Sequence, residues 1–360
     1  KMLVDRDAKI QRFQKEKYYT VGIQSGSLKA GSGRIASMDE ANTLKATCAG
    51  ASAICSSVKR EKKTEQPPKL YDLTTLQREA NRLFGFTAKQ TLDYAQTLYE
   101  KKLLTYPRTD SQYLTDDMLP TAESLVSGLW PLLSFAAGLD IAPQFGRVLN
   151  SKKVSDHHAI VPTMEFVQKG FDGLAEGEKK LLSLVCCKLL CAVAAPHVYE
   201  AVTATFTCAG NTFTAKGKTI LHDGWKALAR KSDSTKSDEK EQALPSVSVG
   251  DEMAVISTEI KEGKTSPPKH YTEDTLLQSM ETAGADEMPD EVERKGLGTP
   301  ATRAGIIEKL VRIGFLERKG DKKTKHLIPT HKGTALVTVM PEQIQSPSMT
   351  ADWEEKLLLI

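Results

Sequence analysis

The sequence has no long hydrophobic run. Its most apolar stretch, Leu181 to Ala195, is interrupted by Lys188 and falls short of the roughly 20 residues that cross a bilayer. The opening residues, KMLVDRDAKI, do not read as a secretory leader either. The six cysteines form no CxxC pair, and Cys186 and Cys187 are adjacent. Zinc binding is therefore not expected; a set of reduced, mostly buried thiols in a cytoplasmic protein is. Strong charge bias is missing too, with a net charge of +3 over 360 residues. Bulk charge does not announce nucleic acid, so any such surface must come from local runs. Two are visible, Lys59-Arg60-Glu61-Lys62-Lys63 and Arg318 to Lys323, and both read first as solvated loops. No internal repeat is visible.

What is present is enough for two or three compact domains, with 40% hydrophobic residues. Residues 1–14 read as a short helix that leads into the extended run Tyr18 to Ile23. A Gly/Ser-rich turn (Ser25 to Gly33), an alanine-rich segment and the first basic run follow, ending at Pro67-Pro68. From Thr74 to Lys102 the pattern is helical. Leu76, Ala80 and Leu83 form one apolar stripe, and Leu92, Ala95, Leu98 and Tyr99 another, with Gly85 between them. Residues 113–136 and 176–195 give two further expected helices. At Tyr199 the period changes: Val202, Ala204, Phe206 and Cys208 alternate with polar residues, Ala209-Gly210-Asn211 turns, and Phe213 and Ala215 resume the alternation. Lys231 to Gln242 reads as a flexible loop, and Met253 to Ile260 as a strand. Helices near 272–283 and 300–313 complete the pattern. Sheet-like parts (18–60 and 199–260) flank the helical block, which is expected to be an insertion carried on a β domain. Lys1 is not an obvious domain start, and the sequence stops inside a helical pattern at Trp353 to Ile360, so a piece of a longer protein is expected.

The most informative segment is Leu103 to Ser111, LLTYPRTDS. Pro107 fixes its own φ and holds Tyr106 towards an extended conformation. Side chains at i and i+2 then point the same way, so Tyr106 and Arg108 can reach one phosphate. A tyrosine hydroxyl attacking a phosphodiester needs such a pairing: a nucleophile, and a permanent two-pronged cation for the developing charge. By itself this is weak, because most loop tyrosines beside proline and arginine are packing residues. An adjacent His157-His158 pair is likewise more often a helix cap or a surface feature.

The run Leu70 to Ser111, LYDLTTLQREANRLFGFTAKQTLDYAQTLYEKKLLTYPRTDS, resembles the active-site region of type IA DNA topoisomerases: a DL-x-x-LQ helix, then TL-x-x-AQ-x-LYE, then (L/I)TY-x-R-(T/S)D. The resemblance implies that Tyr106 is the nucleophile, that Arg108 binds phosphate, and that Asp110 orients its neighbours. It also places Gln96 and Glu100 where a helix approaches single-stranded DNA. Asp156 to Thr163, DHHAIVPT, resembles the family's HHAI-x-PT motif and implies a hydrogen-bonding or proton-handling role for His157. Gly296 to Ile307, GLGTPATRAGII, resembles G-(I/L)-G-T-x-A-T-R-A-x-II. Its glycines would permit close backbone approach, and the helix start with Thr302 and Arg303 would offer donors to phosphate. Tyr271 to Leu276 and Met349 to Glu354 fit as well, so the resemblance covers nearly the whole sequence. Thr299 and Val161 stand where topoisomerase I enzymes usually carry arginines, which favours the topoisomerase III branch.

The implied fold is α+β and multidomain. A β-rich arch (15–70 and 199–260) carries a helical domain with the active-site tyrosine (71–198), and an α-rich, winged-helix-like base is formed from 1–14 and 261–360. The family's Toprim domain, with its glutamate acid, lysine and DxDxE metal site, is not in this sequence, nor is its GR-x-QTPTL segment. Asp5-Arg6-Asp7 mimics a DxD but reads as helix. Mg2+ is thus expected for the full-length enzyme with its site outside this chain, and no cofactor or metal for the chain itself. Expected partners are single-stranded DNA and the Toprim domain of the same polypeptide, with no membrane and a monomeric state. The implied activity is ATP-independent cleavage of one strand through a 5'-phosphotyrosine, strand passage and religation, with the chain inactive alone. Two other classes compete: a winged-helix regulator built on 300–335, and a non-catalytic single-strand-binding protein on the same fold.

Overall fold

A computed structural model of the chain describes residues 1–139, 142–232, 244–284, 296–321, 323–346 and 349. In chain order the elements are α1 (Met2–Gln11), β1 (Lys17–Ser25), β2 (Leu28–Gly31), α2 (Met38–Cys48) and β3 (Ser52–Glu65). Next come α3 (Leu73–Phe84), α4 (Ala88–Glu100), α5 (Leu119–Leu129), α6 (Met164–Lys169) and α7 (Glu176–Val193). Then follow β4 (His197–Cys208), β5 (Asn211–His222), α8 (Trp225–Ser232), β6 (Glu252–Ala254) and β7 (Ser257–Lys264). The last are α9 (Glu273–Glu281), α10 (Pro300–Arg312), β8 (Leu316–Gly320), β9 (Lys325–Pro329) and α11 (His331–Val339). Two compact units result: Phe13–Pro67 with Ala195–Pro267, and Lys1–Arg12 with Pro68–Ala194 and Pro268–Ile360. The segments expected as helical block and base thus share one unit. Among the described residues no helix is long and apolar enough to cross a membrane.

The first unit is one antiparallel sheet, in the order β6-β3-β4-β5-β2-β1-β7 among the described residues. β3 and β4, which flank the helical segment in sequence, pair with each other from Ala53–Cys208 to Glu65–His197. β6 and β7 sit on opposite edges yet are separated by only Val255 and Ile256. Val255 N–H bonds to Ala51 O at one edge, and Ile256 N–H to Gln24 O at the other. The sheet must therefore curl until its edges meet. The single strand expected from Met253 to Ile260 is two strands for this reason. Val21, Ile23, Ala53, Phe206 and Phe213 fill the interior, closed by Ala41 and Cys48 of α2. That helix replaces part of the expected sheet: Ser37 accepts from the N–H groups of Asp39 and Glu40, a strong N-cap. The first basic run is not a loop but lies within the second half of β3. It lies beyond the core, where both faces meet water, and Arg60 pairs across the ladder with Glu200 at 3.2 Å.

In the second unit, Asp72 and Thr87 cap α3 and α4 through reciprocal side-chain bonds. Their apolar stripes, Leu73, Leu76 and Ala80 with Leu92, Ala95 and Leu98, are buried. The helix expected over 113–136 shrinks to α5 with single 3₁₀ turns around it, because Pro131 cannot donate to the preceding turn. A second core joins α9, α10 and β9 to the start of α4: Ala88, Leu276, Leu277, Met280, Ala304, Ile307 and Leu327. Between α10 and α11 the chain forms a β8–β9 hairpin, giving the winged-helix-like element, so the second basic run, read first as a solvated loop, starts within β8. Its leading cation is neutralised, since Arg318 reaches Glu273 at 2.8 Å and Glu308 at 2.7 Å. Asp5 and Asp7 lie in α1. Most of the expected loop Lys231 to Gln242, and the closing helix from Trp353, lie outside the described residues.

All six cysteines are buried and none forms a disulfide. Burial, with Cys208 beside it, pushes the Cys48 thiol up to about 12, so it is inert at neutral pH.

Candidate active site

α4 ends at Glu100 with Lys101 as its C-cap, and Lys102 takes a left-handed φ of 61° that turns the chain sharply. The segment beyond it is laced to residues 157–163. Leu104 bridges Pro162. Thr105 N–H bonds to Val161 O, and its hydroxyl accepts from Val161 N–H at 3.0 Å and donates to Ala159 O at 3.2 Å. The Thr109 hydroxyl donates to His157 O at 2.7 Å. These bonds are possible because Pro107, Thr109 and Ser111 are buried while Arg108 and Asp110 are exposed, the two-sided alternation of extended chain.

Tyr106 lies between two rings. His157 packs on it with centroids 4.3 Å apart, and Tyr99 of α4 meets it edge-on at 5.4 Å. Among the described residues the Tyr106 hydroxyl has no hydrogen-bond partner and the Arg108 guanidinium no acceptor. Arg108, Asp110, Asp156, His157 and Arg303 line one cavity of about 420 Å³, with Gly298 to Ala301 at the start of α10 opposite. Tyr106 does not line it and adjoins it through the His157 ring. Asp110 accepts from Ser155 at 3.5 Å. His158 is half-buried, with Nδ1 2.8 Å from Ala159 O.

The remaining expected residues divide. Gln96 donates to Glu100 at 3.1 Å one turn below Tyr99, and its Oε1 is buried without a partner. Thr302 is used in the fold: its hydroxyl accepts from Thr299 N–H at 2.9 Å and closes the cap of α10. Arg303 is 2% exposed. It donates to Leu297 O at 3.1 Å and Thr74 Oγ1 at 3.0 Å and lies 3.9 Å from Glu281. It presents charge to the cavity wall while its donors hold the fold. Burial pulls the Arg303 guanidinium down and pushes the Glu281 carboxyl up, with Asp72 adding to the rise at Glu281. The glycines of the GLG run do allow close approach, but to protein: Gly296 has φ +65°, and a Cβ there would stand 2.3 Å from Met280 O.

The sequence reading missed Tyr99 as a neighbour of Tyr106 and Glu281 as a cavity wall. The exposed aromatic three residues past Gln96 signalled the first; nothing local signalled the second. The cavity sets two arginines, an imidazole and a helix N-terminus against Asp110, Asp156 and Glu281. An oxyanion is favoured where Arg108 and the helix start converge.

Residues 1–360 match a family described as DNA topoisomerase. The chain is 37% identical to DNA topoisomerase 3 of Bacillus subtilis, over all of this chain and 51% of that protein. It is 41% identical to DNA topoisomerase 3 of Bacillus licheniformis, over 86% of this chain and 43% of that protein. The chain thus spans about half the length of these curated relatives. A crystal structure of full-length topoisomerase I from Thermotoga maritima superposes with a TM-score of 0.73, covering 99% of this chain and 57% of that one at 24% identity. Matched from residue 1 to residue 360 and built on the type IA body, this chain belongs to the DNA topoisomerase family.

Proposed function

We propose that this chain carries the strand-cleaving tyrosine of a type IA DNA topoisomerase. The observation behind the reading is the packing of Tyr106 on His157 beside an Arg108 that has no acceptor among the described residues. Tyr106 Oη attacks a phosphorus of single-stranded DNA and gives up its proton. The P–O3' bond breaks, the 3' oxygen takes a proton and leaves as a hydroxyl, and a 5'-phosphotyrosine remains. The reverse attack reseals the strand. The bond energy is kept in the phosphotyrosine, so no ATP is needed. Arg108 neutralises the non-bridging oxygens throughout, and His157 donates a ring N–H to the same phosphate. Asp110 keeps the Ser155 end of the cavity in place. Gln96 and Glu100 extend the α4 face along which the strand approaches, and the α10 start with Thr302 and Arg303 closes the far wall.

The Mg2+ expected for a full-length enzyme has no fitting site here: among the described residues no three His, Cys, Asp or Glu side chains are placed to hold a metal ion. No step above is routed through a metal. Alone, the chain should bind single-stranded DNA weakly and in a salt-sensitive way, without relaxing supercoiled plasmid. Filter binding and a gel relaxation assay with Mg2+ test this. Relaxation by the isolated chain, or no binding at low salt, would overturn the reading.

A further inference from the structure

A second cavity of about 420 Å³ lies against α3 in the same unit, lined by Lys69, Arg78, Arg82 and Lys188 together with Glu79 and Asp274. Four cations face two carboxylates there. Lys188 and Arg82 share Glu79, at 2.7 and 3.0 Å, and Arg78 holds Asp274 at 2.9 Å. These pairs fix the cations in place and leave a positive surplus. Lys69 has no carboxylate partner among the described residues.

We propose that this cavity is a second backbone site for single-stranded nucleic acid, holding phosphodiesters of a strand that runs on from the active-site cavity; this rests on the function proposed above. Two connections on the surface carry it. The extended segment that supplies Arg108 and Asp110 to the first cavity supplies Gln112 to the second. Four residues of extended chain reach at most about 14 Å, a span that a few nucleotides bridge. The only carboxylate on that segment, Asp110, lines the first cavity and not the second. The other connection is a pair of lysines. Ser155 lines the first cavity, and Lys153, two residues before it, stands 5.1 Å from the Tyr113 ring. Lys69, which lines the second cavity, stands 5.5 Å from the same ring. Lys153 also has no carboxylate partner among the described residues. The cations Arg108, Lys153, Lys69 and Arg82 therefore mark a track, and phosphodiester backbone is the ligand whose charges repeat along a line.

The test uses the 360-residue chain and fluorescent oligothymidylates of about four and about twelve nucleotides, titrated at several salt concentrations. Lys69 and Arg82 are exposed, so the Lys69→Ala, Arg82→Ala double variant should fold. It should bind the longer oligonucleotide about tenfold more weakly, with a log–log salt slope shallower by about 1.4, the value for two lost phosphate contacts. The shorter oligonucleotide should be affected less than about twofold, and the charge-keeping Lys69→Arg, Arg82→Lys variant should bind as wild type does. Equal losses at both lengths, an unchanged slope, or failure of the charge-keeping variant to restore binding would overturn the site. Thymidine diphosphate competing as well as the longer oligonucleotide would make it a free-nucleotide pocket and also overturn the proposal. If the wild-type chain binds neither oligonucleotide, the function proposed above falls and takes this site with it. Wild-type binding with an unaffected double variant removes this site alone.

Discussion

Thr109 donates its hydroxyl to the carbonyl of His157 at 2.7 Å from a position only 3% exposed. This bond closes a clasp whose other end is Thr105 on Ala159 and Val161. The two threonines bracket Tyr106 and Arg108, and the segment they grip carries His157. The backbone that carries Tyr106, Arg108 and His157 is thus held by hydroxyl bonds between distant parts of the chain.

Tyr106→Phe, placed in a full-length enzyme, should abolish covalent capture of DNA. Phenylalanine keeps the ring contacts with His157 and Tyr99 and loses only the hydroxyl. Single-strand affinity should therefore stay within about twofold, because binding draws on the cations and not on the phenol. Denaturing gels after quenching reveal the adduct; any phosphotyrosyl adduct in the Phe variant would remove the central assignment.

Arg108 and His157 should outrank His158. Arg108→Ala removes a fixed charge that has no acceptor among the described residues, so cleavage and religation in a full-length enzyme should both fall about 10²- to 10³-fold. His157→Ala removes the ring packed on Tyr106 at 4.3 Å and should slow both steps as well. His158 already bonds its own loop and should matter less. Equal losses in single-turnover cleavage at the two histidines would make the pair structural.

Much of the cavity's local geometry was legible in the sequence because it sits in short local runs. Pro107 and the alternation from Tyr106 to Asp110 are properties of a few adjacent residues, and the structure keeps them extended with Thr109 inside. What local pattern could not tell was who faces whom. Arg303 reads as a surface donor, yet it is buried because Thr74, Leu297 and Glu281 meet it from elsewhere in the unit. Gly296 reads as a ligand-approach glycine, but its left-handed turn is spent on Met280. In the sheet, β3 was hidden by its charges, since a strand with water on both faces needs no alternation. α2 was hidden by small residues, although Ser37-Met38-Asp39-Glu40 carried a cap signal.

That burial gives Arg303 a stability signature. Arg303→Ala leaves Thr74 Oγ1, Leu297 O and Glu281 without their cation, and should cost about 2–4 kcal/mol in urea unfolding. Arg108→Ala, at an exposed position without an acceptor among the described residues, should stay within about 0.5 kcal/mol. A fully stable Arg303→Ala would move that residue into the class of free phosphate donors.

The Glu79 cluster should give the second unit a distinctive acid response. Burial pushes the Glu79 carboxyl up, but the charge and hydrogen bond of Lys188, the Tyr71 hydroxyl at 2.6 Å and the charge of Arg82 outweigh it and hold Glu79 below its ordinary value. A carboxylate depressed in the folded state stabilises above its unfolded pKa, near about 4.3 for glutamate, and that contribution is lost as pH falls through the folded value. Lys188→Met keeps the stem over Tyr71 and removes the charge, so burial then dominates and Glu79 rises. The variant should be weaker by about 1–2 kcal/mol at neutral pH, less than a fully buried pair would cost because both side chains retain some solvent. Its deficit should shrink towards acid pH, where Glu79 is neutral in both proteins and the pairing has nothing left to lose. Its acid-unfolding midpoint should lie at higher pH than that of the parent. Urea titrations across the acid range, followed by circular dichroism, read both quantities. A deficit that stays constant with pH would mean that Lys188 acts only by packing 4.5 Å over the Tyr71 ring and that the ion pair contributes nothing.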